Sequence, residues 1–554
     1  MATSAWGPLA IPIFRWLWIA SIASNLGTWM QNVGASWLMT TLSASAVLVA
    51  LMQTATSLPV FLVGLPAGAI ADVVDRRKLL LVSQGWMLLV ATLLGVLSLL
   101  DMVSAITLLV LTFLLGLGAA LNAPAWQAIV PELVGRRQVA SAITLNSAGF
   151  NLARAVGPAI GGVIVAASGP SAVFLLNAVS YLGVLVVIFV WPRKRVESTA
   201  PPERVLGAIA AGTRYARHSP SLLAVLVRAA AFILAASALW ALLPIVARHD
   251  LGLDAGGYGL LLGSLGLGAI IAAMILRRLN SLLSADRLTV ITTLVFALAT
   301  LALGYARSLA VLLPLLILGG MAWMATMATF NVSAQSAAPD WVRARALGIY
   351  LLVFQGGMAA SSFAWGAIAG WLGDSTALLI AALCLALSTA AAWRWRLRGV
   401  QGLDLTQAEL TSQLTATLTP QPEDGPVLVT ISYEVESDKQ PDFIKAMQRV
   451  ERMRRRTGAY RWGLFQDSDN PQRFVETYLA RSWAEHMRQH TRATVTDRKI
   501  VDQARALQKP GTSPQVSHLI AAHSTEFDGN RKESSFLSLT LIRKVRQRAK
   551  PPQS

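Results

Sequence analysis

The chain has 554 residues, of which 54% are hydrophobic and only 14% charged, with a formal net charge of +18 and a mean hydropathy of +0.54. Soluble domains carry charge on about a quarter of their residues, so this composition excludes an ordinary soluble protein, and with it the nucleic-acid reading that +18 would otherwise invite. The single cysteine, Cys384, excludes a disulfide framework and a thiolate metal site.

Taken in chain order, Arg15 precedes an apolar run too long for a signal-peptide core, and apolar runs keep recurring, so the start reads as a membrane span and not as a secretory signal. Trp16 to Ala71 contains no Asp, Glu, Lys or Arg, and Val139 to Trp191 contains only Arg154. With roughly 20 apolar residues needed per helix, twelve spans follow, near 14–40, 46–71, 79–100, 104–130, 138–167, 171–191, 222–247, 256–276, 287–306, 309–337, 346–372 and 375–395. The expected fold is an all-α membrane protein of twelve transmembrane helices in two six-helix bundles, residues 1–191 and 221–398, joined by a basic central loop, 192–220. Basic residues stay on the cytoplasmic side of short loops. They gather in alternate connections: Arg76, Arg77 and Lys78; Arg136 and Arg137; Arg193, Lys194, Arg195, Arg204, Arg214 and Arg217 of the central loop; Arg277, Arg278 and Arg287; Arg343 and Arg345. The other connections offer only Arg248 and Arg307, so both termini are expected in the cytoplasm. A repeat supports the two halves: Pro131-Glu132 leads to Arg136-Arg137 as Pro339-Asp340 leads to Arg343 and Arg345, in the same frame.

Beyond about Arg398 the composition turns polar and charged. Residues 399–426 read as a linker, 427–525 as an α+β domain in the order β-α-β-β-α-β, which is ferredoxin-like, and 526–554 as a basic tail for which a solvated end or an anionic lipid surface are the two readings. The strands are expected at Val427 to Glu436, Tyr460 to Gln466, Arg473 to Leu479 and His518 to Ala522, with a helix from Pro441 to Arg456 and another capped by Ser482. His486 and His490 have a spacing that suits a metal, but no third ligand is evident, so neither metal nor cofactor is expected.

Three groups of residues carry the functional reading. After the second span come Gly68, Asp72, Asp75, Arg76, Arg77 and Lys78: a small residue for close helix approach, then an acid and cations able to form a charge network. In the fifth span Asn151, Arg154, Gly157, Pro158, Gly161 and Gly162 combine small residues four apart with a helix-bending Gly-Pro pair, which suits a pivot or, more plainly, membrane-helix packing. Arg154 is read as the one charge well inside the spans, either an anchor for an anionic substrate group or a gating cation, or else a residue near the cytoplasmic helix end that snorkels or pairs with Glu132 or an amide. The candidate cavity set is Asn25, Gln31, Asn32, Trp126, Gln127, Trp323, Asn331 and Gln335, amides and tryptophans that suit an amphipathic solute or serve as interhelical contacts.

The Gly68 to Lys78 loop resembles the signature loop of the major facilitator superfamily, and the Arg154 to Gly162 segment resembles the fifth-helix motif of its exporters. The resemblance implies that Asp72 meets the start of the eleventh span and that the cavity lies among spans one, four, seven and ten. Asp75 stands where a glycine is usual. The fourth span keeps Gly116 and Gly118 but has Thr112 where an arginine linked to proton transfer often sits. The acids available for proton coupling lie near helix ends: Asp72, Asp101, Glu132, Asp250, Asp254 and Asp374. The segment Phe474 to His490 resembles antibiotic biosynthesis monooxygenase-like domains, which dimerise by joining sheets. The whole chain is thus similar to enterobactin-exporter-like efflux proteins and transmembrane secretion effectors. The resemblance implies a proton-driven exporter of a siderophore or drug in the bacterial inner membrane, with the bilayer and protons as partners, dimerisation through the C-terminal domain, no nucleic acid and no enzymatic activity. No GxxxxGK[ST] loop suggests ATP use. The alternative is a membrane-anchored sensing or oxygenase module carried by the C-terminal domain.

Overall fold

The computed structural model describes residues 6–135, 138–191, 205–397, 404–408 and 420–521. Arg136, Arg137, Arg193, Lys194, Arg195, Arg204, most of the expected linker, Ala522, the basic tail and the side chain of Asp72 lie outside the described residues. Two compact units form, one holding residues to 409 with short segments at 455–457 and 492–501, the other holding 410–454, 458–491 and 502 onward.

The first unit is helical. Its first half contains α1 (Pro12–Leu42), α2 (Ala46–Val73), α3 (Arg76–Leu99), α4 (Ala105–Leu133), α5 (Val139–Ser168) and α6 (Pro170–Val190). After α7 (Val205–His218) come α8 (Pro220–Ile245), α9 (Ala255–Leu282), α10 (Ala285–Tyr305), α11 (Leu309–Ser336), α12 (Asp340–Leu372), α13 (Asp374–Ser388) and the short α14 (Ala391–Arg394). Among the described residues eleven helices are long and apolar enough to cross a membrane. The twelfth expected span, α1, has 31 residues and no charge after Arg15, but its Ser, Thr, Asn and Gln side chains keep it off that count. Those polar groups are what a helix lining a wet interior would carry.

Packing repeats between the halves. In the first, α1 packs on α5 and α6, α3 on α4 and α6, and α2 on α4; in the second, α8 packs on α12 and α13, α10 on α11 and α13, and α9 on α11. Each pair reappears six spans later, which extends the short sequence repeat to the whole of both halves. Across the halves α2 packs on α12 and α5 on α9. Large apolar side chains such as Val179, Phe189 and Met274 point outward, where lipid replaces protein.

The central connection contains a helix that the loop reading did not provide. Over Val205–His218 its Ala and Leu residues favour the helix, while Arg214 and Arg217 mask the apolar stripe in the sequence. Ala211, Tyr215 and Ala216 are buried, and the Tyr215 hydroxyl donates to the Ala337 carbonyl at 2.8 Å beside the start of α12.

The second unit has a four-stranded antiparallel sheet, ordered β2-β3-β1-β4, from β1 (Val427–Glu434), β2 (Arg461–Gln466), β3 (Arg473–Ala480) and β4 (Gln515–Ile520). Helix α15 (Gln440–Thr457) joins β1 to β2. Between β3 and β4 lie α16 (Trp483–Arg492) and α17 (Val495–Arg505), where one helix was expected. Alternation in β1 buries Val427, Val429, Ile431 and Tyr433 on one face, where the Tyr433 ring meets Phe443 of α15 with centroids 5.4 Å apart.

Candidate functional site

The loop after α2 is a set of helix caps and inter-helix bonds. Asp75, in the place of a usual glycine, needs no positive φ: it is the N-cap of α3, and its carboxylate accepts from the Lys78 N–H at 3.1 Å. Arg76 donates to Glu132 at the end of α4 at 2.7 Å, and Arg77 donates to the Ile188 carbonyl at 3.0 Å and to that of Phe189, closing the last turn of α6. Lys78 is exposed. Gly68 differs from expectation: a methyl built there meets nothing within 4 Å, so no close helix approach uses it. The reason lies in the α2–α12 seam, where Gly348 already faces only the tip of Leu65, at 3.4 Å.

Toward the opposite end the same seam is tight. A methyl on Gly366 of α12 would meet the Ala50 Cβ at 2.6 Å and the Ala46 carbonyl at 3.0 Å, and the Thr54 hydroxyl donates to the Ala359 carbonyl at 2.8 Å. Between the two ends lies an apolar recess of about 470 Å³, lined by residues including Leu58, Phe61, Leu352 and Phe363. Trp37 of α1 stacks on Tyr258 of α9 with centroids 6.0 Å apart, and Arg248 lies 5.4 Å over the Trp37 ring. The halves therefore meet closely at the end away from the basic connections.

Helix α5 has two small-residue faces. Gly157 and Gly161 seat α1, since a methyl there would meet the Trp29 Cβ at 2.7 Å and the Met30 Cα at 2.8 Å. Gly162 faces the other half, with the Gly259 Cα 2.7 Å from such a methyl, and Ala155 faces Gly266 at the same distance. Pro158 is buried within the continuous helix, and lacking an N–H it leaves the Arg154 carbonyl without its helical donor. Arg154 is half-buried with its guanidinium 5.7 Å over the Trp29 ring; Asn151 is exposed and donates to the Ser147 carbonyl.

The cavity set divides. Asn25 is half-buried and donates to the Ser21 carbonyl at 2.8 Å, and Asn32 is half-buried too. Gln31 is buried and accepts from Asn177 of α6, so its amide works between helices of the first half. Trp126 packs on the apolar cluster around Ile129 and Leu133, while Gln127 is exposed. Trp323 is enclosed by Trp240, Phe232, Phe296 and Phe354, a core position more than a wall of an open cavity, and among the described residues the indole N–H of the neighbouring Trp240 meets no partner. Asn331 and Gln335 are exposed and bonded to each other.

Sequence reading missed a second charge inside a span. Arg228 of α8 is buried, pairs with Asp286 at the start of α10, and donates to the Thr289 hydroxyl at 2.6 Å; the Leu397 N–H donates to the same Asp286 at 2.9 Å. The apolar run around Arg228 hid it, although a basic residue two turns inside a span was itself the signal. Also missed were Gly259 and Gly266, the partners of α5, which a scan for small residues in α9 finds.

In the second unit Glu476 is fully buried and accepts from the Tyr433 hydroxyl at 2.8 Å, Arg454 at 3.0 Å and the Trp462 indole at 3.0 Å. His486 is fully buried, with the Nε2 of His490 3.3 Å from its own and the His518 ring centroid at 4.9 Å; burial, then the two neighbouring imidazoles, push it down to about 3. Among the described residues no group of three or more His, Cys, Asp or Glu is placed to hold a metal ion.

The family model for transmembrane secretion effectors matches residues 3–526. The multidrug efflux pump Tap of Mycolicibacterium fortuitum is 28% identical over 405 residues, 70% of this chain and 94% of that protein. The enterobactin exporter EntS of Salmonella choleraesuis is 27% identical over 48% of this chain and 63% of its own length, and the staphyloferrin A transporter of Staphylococcus aureus is 30% identical over 30% and 42%. The chain thus spans less than two thirds of those two relatives. In structure, a bacterial homologue of the iron transporter ferroportin in its inward-facing state superposes with a TM-score of 0.55 at 15% identity, covering 70% of this chain and 99% of that one.

Proposed function

Because the chain belongs to the transmembrane secretion effectors, exporters of the major facilitator superfamily, we propose that it exports a small amphipathic solute, a siderophore or drug, by alternating access driven by protons. Its family and its structural neighbours are membrane transporters, so an oxygenase reading is not carried further. The observation that carries the proposal is the double small-residue face of α5: Gly157 and Gly161 fix it to α1, while Gly162 lets the other half approach to backbone contact through Gly259. A seam without interlocking side chains can open and close with little repacking. In this reading α1 is the twelfth span, the basic connections and both termini lie in the cytoplasm, and the tight end faces outward. The second unit is a ferredoxin-like domain; its sheet face opposite α15 carries Phe465 and Leu519, 59% and 54% exposed, which supports a dimerising surface.

The test is efflux from cells lacking their own exporters, across siderophores and amphipathic drugs, with and without a protonophore. Wild type should clear at least one compound in a protonophore-sensitive way, and Asp72→Asn should slow this at least about tenfold. No efflux of any compound from protein confirmed in the membrane would overturn the proposal, and protonophore-resistant efflux would overturn the coupling alone.

A further inference from the structure

Two arginines sit inside the membrane helices in opposite ways. Arg228 is neutralised by Asp286. Arg154 is the sixteenth of the 30 residues of α5, about 22 Å along the axis from the first. Its guanidinium lies over the face of Trp29, a neutral ring that positions it without cancelling its charge. A lone cation at that depth is unfavourable unless a wet cavity or an anion meets it.

The surroundings favour an anion attached to a planar group. Trp29 meets Phe150 edge to face at 6.5 Å, giving an aromatic wall beside the guanidinium. Asn151 lies one turn earlier on α5 and is exposed, its amide donating to the Ser147 carbonyl. Helices α1 and α5 run in parallel, with Ile22 against Gly149 and Trp29 against Gly157, which sets half-buried Asn25 level with Asn151 and Arg154. Among the described residues no carboxylate pairs with Arg154, so the full charge this group presents is positive. A guanidinium presents paired N–H donors that match a carboxylate or a similar delocalised oxyanion.

Resting on the transport reading, we infer that Arg154 selects the charge of the solute: the exported molecule carries a carboxylate or comparable oxyanion beside a planar ring, held by Arg154 with Asn25, Asn151 and Trp29 around it. Drugs that are cations are then poor substrates.

The test uses two dyes with one ring skeleton, fluorescein, an anion, and rhodamine 123, a cation. Binding to the purified full-length chain is read by fluorescence anisotropy, and transport by efflux from cells lacking other exporters. Wild type should prefer fluorescein at least about tenfold in binding and efflux. Arg154→Gln should erase that preference, and Arg154→Lys, which keeps the charge, should restore part of it. Equal binding of the two dyes by wild type, or a preference unchanged in Arg154→Gln, would overturn the inference. Charge-selective binding that needs Arg154, with no efflux of either dye, would overturn the transport reading and leave the anion site standing.

Discussion

Arg228 is buried to 6% exposure, and its charge is tolerable because Asp286 sits against it while Thr289 takes a second N–H. Removing one member of a buried pair leaves an uncompensated ion, which destabilises by about 3–5 kcal/mol, whereas replacing both with apolar residues is often neutral. Asp286→Asn should therefore lower the thermal midpoint of the detergent-purified protein markedly, and Arg228→Leu with Asp286→Leu should recover most of the loss. A double variant as unstable as the single one would show that the pair does more than neutralise itself. In the second unit His486 gives a pH signature. Its folded value, pushed to about 3, lies below the ordinary 6.5, so the unfolded chain binds the proton first as pH falls. The stability His486 allows is complete only well above pH 6.5 and is lost as pH falls from there toward about 3, with a slope that approaches about 1.4 kcal/mol per pH unit once the unfolded imidazole is protonated. Unfolding followed between pH 7 and pH 5 should show this slope in wild type and a flatter one in His486→Leu; equal slopes would rule out His486 as the source. At this scale the sequence was legible in part. Arg154 and the α5 glycines were visible as residue types, but their partners were not, because neither Trp29 nor Gly259 is near them in the chain.

Among the elements, α5 joins the two halves with one face for each. Gly162→Val would place side-chain carbon where the Gly259 Cα and the Ala255 carbonyl now sit, 2.7 and 2.8 Å from a methyl, forcing α5 and α9 apart. The expected result is a protein that still inserts and folds but whose efflux falls about tenfold or more. Wild-type efflux from Gly162→Val would mean the seam need not close to this distance. Helix positions were readable because uncharged runs of span length have few alternatives in a chain this apolar. Helix α7 was not readable, since six basic residues in the connection outweighed its Ala-rich stripe, and its burial against the start of α12 exists only in the fold. Gly68 failed in the opposite direction: its type suits close packing, yet whether another helix arrives there depends on which end of the molecule is closed.

At the scale of the whole molecule, the tight seams of α2 with α12 and of α5 with α9 at one end describe one state of a transporter, and the second unit adds a sheet with an open apolar face. If that face joins two chains, Phe465→Asp with Leu519→Asp should bring the protein mass measured by light scattering in detergent to that of one 59.2 kDa chain, while wild type shows twice that. A wild-type protein that is already single would remove the dimer reading. The sequence by itself determined that this is a membrane protein, that apolar helices of span length follow one another along it, and that its second unit combines strands and helices, because hydropathy and strand alternation are local properties counted along the chain. Tertiary structure alone decided which end is shut, that Asp75 is a cap, that Gln31 and Trp323 are spent inside the halves, and that Arg228 pairs with a carboxylate where Arg154, among the described residues, meets an aromatic face. Those outcomes depend on which side chain from a distant helix arrives within a few ångströms, and spacing along one helix carries no record of it.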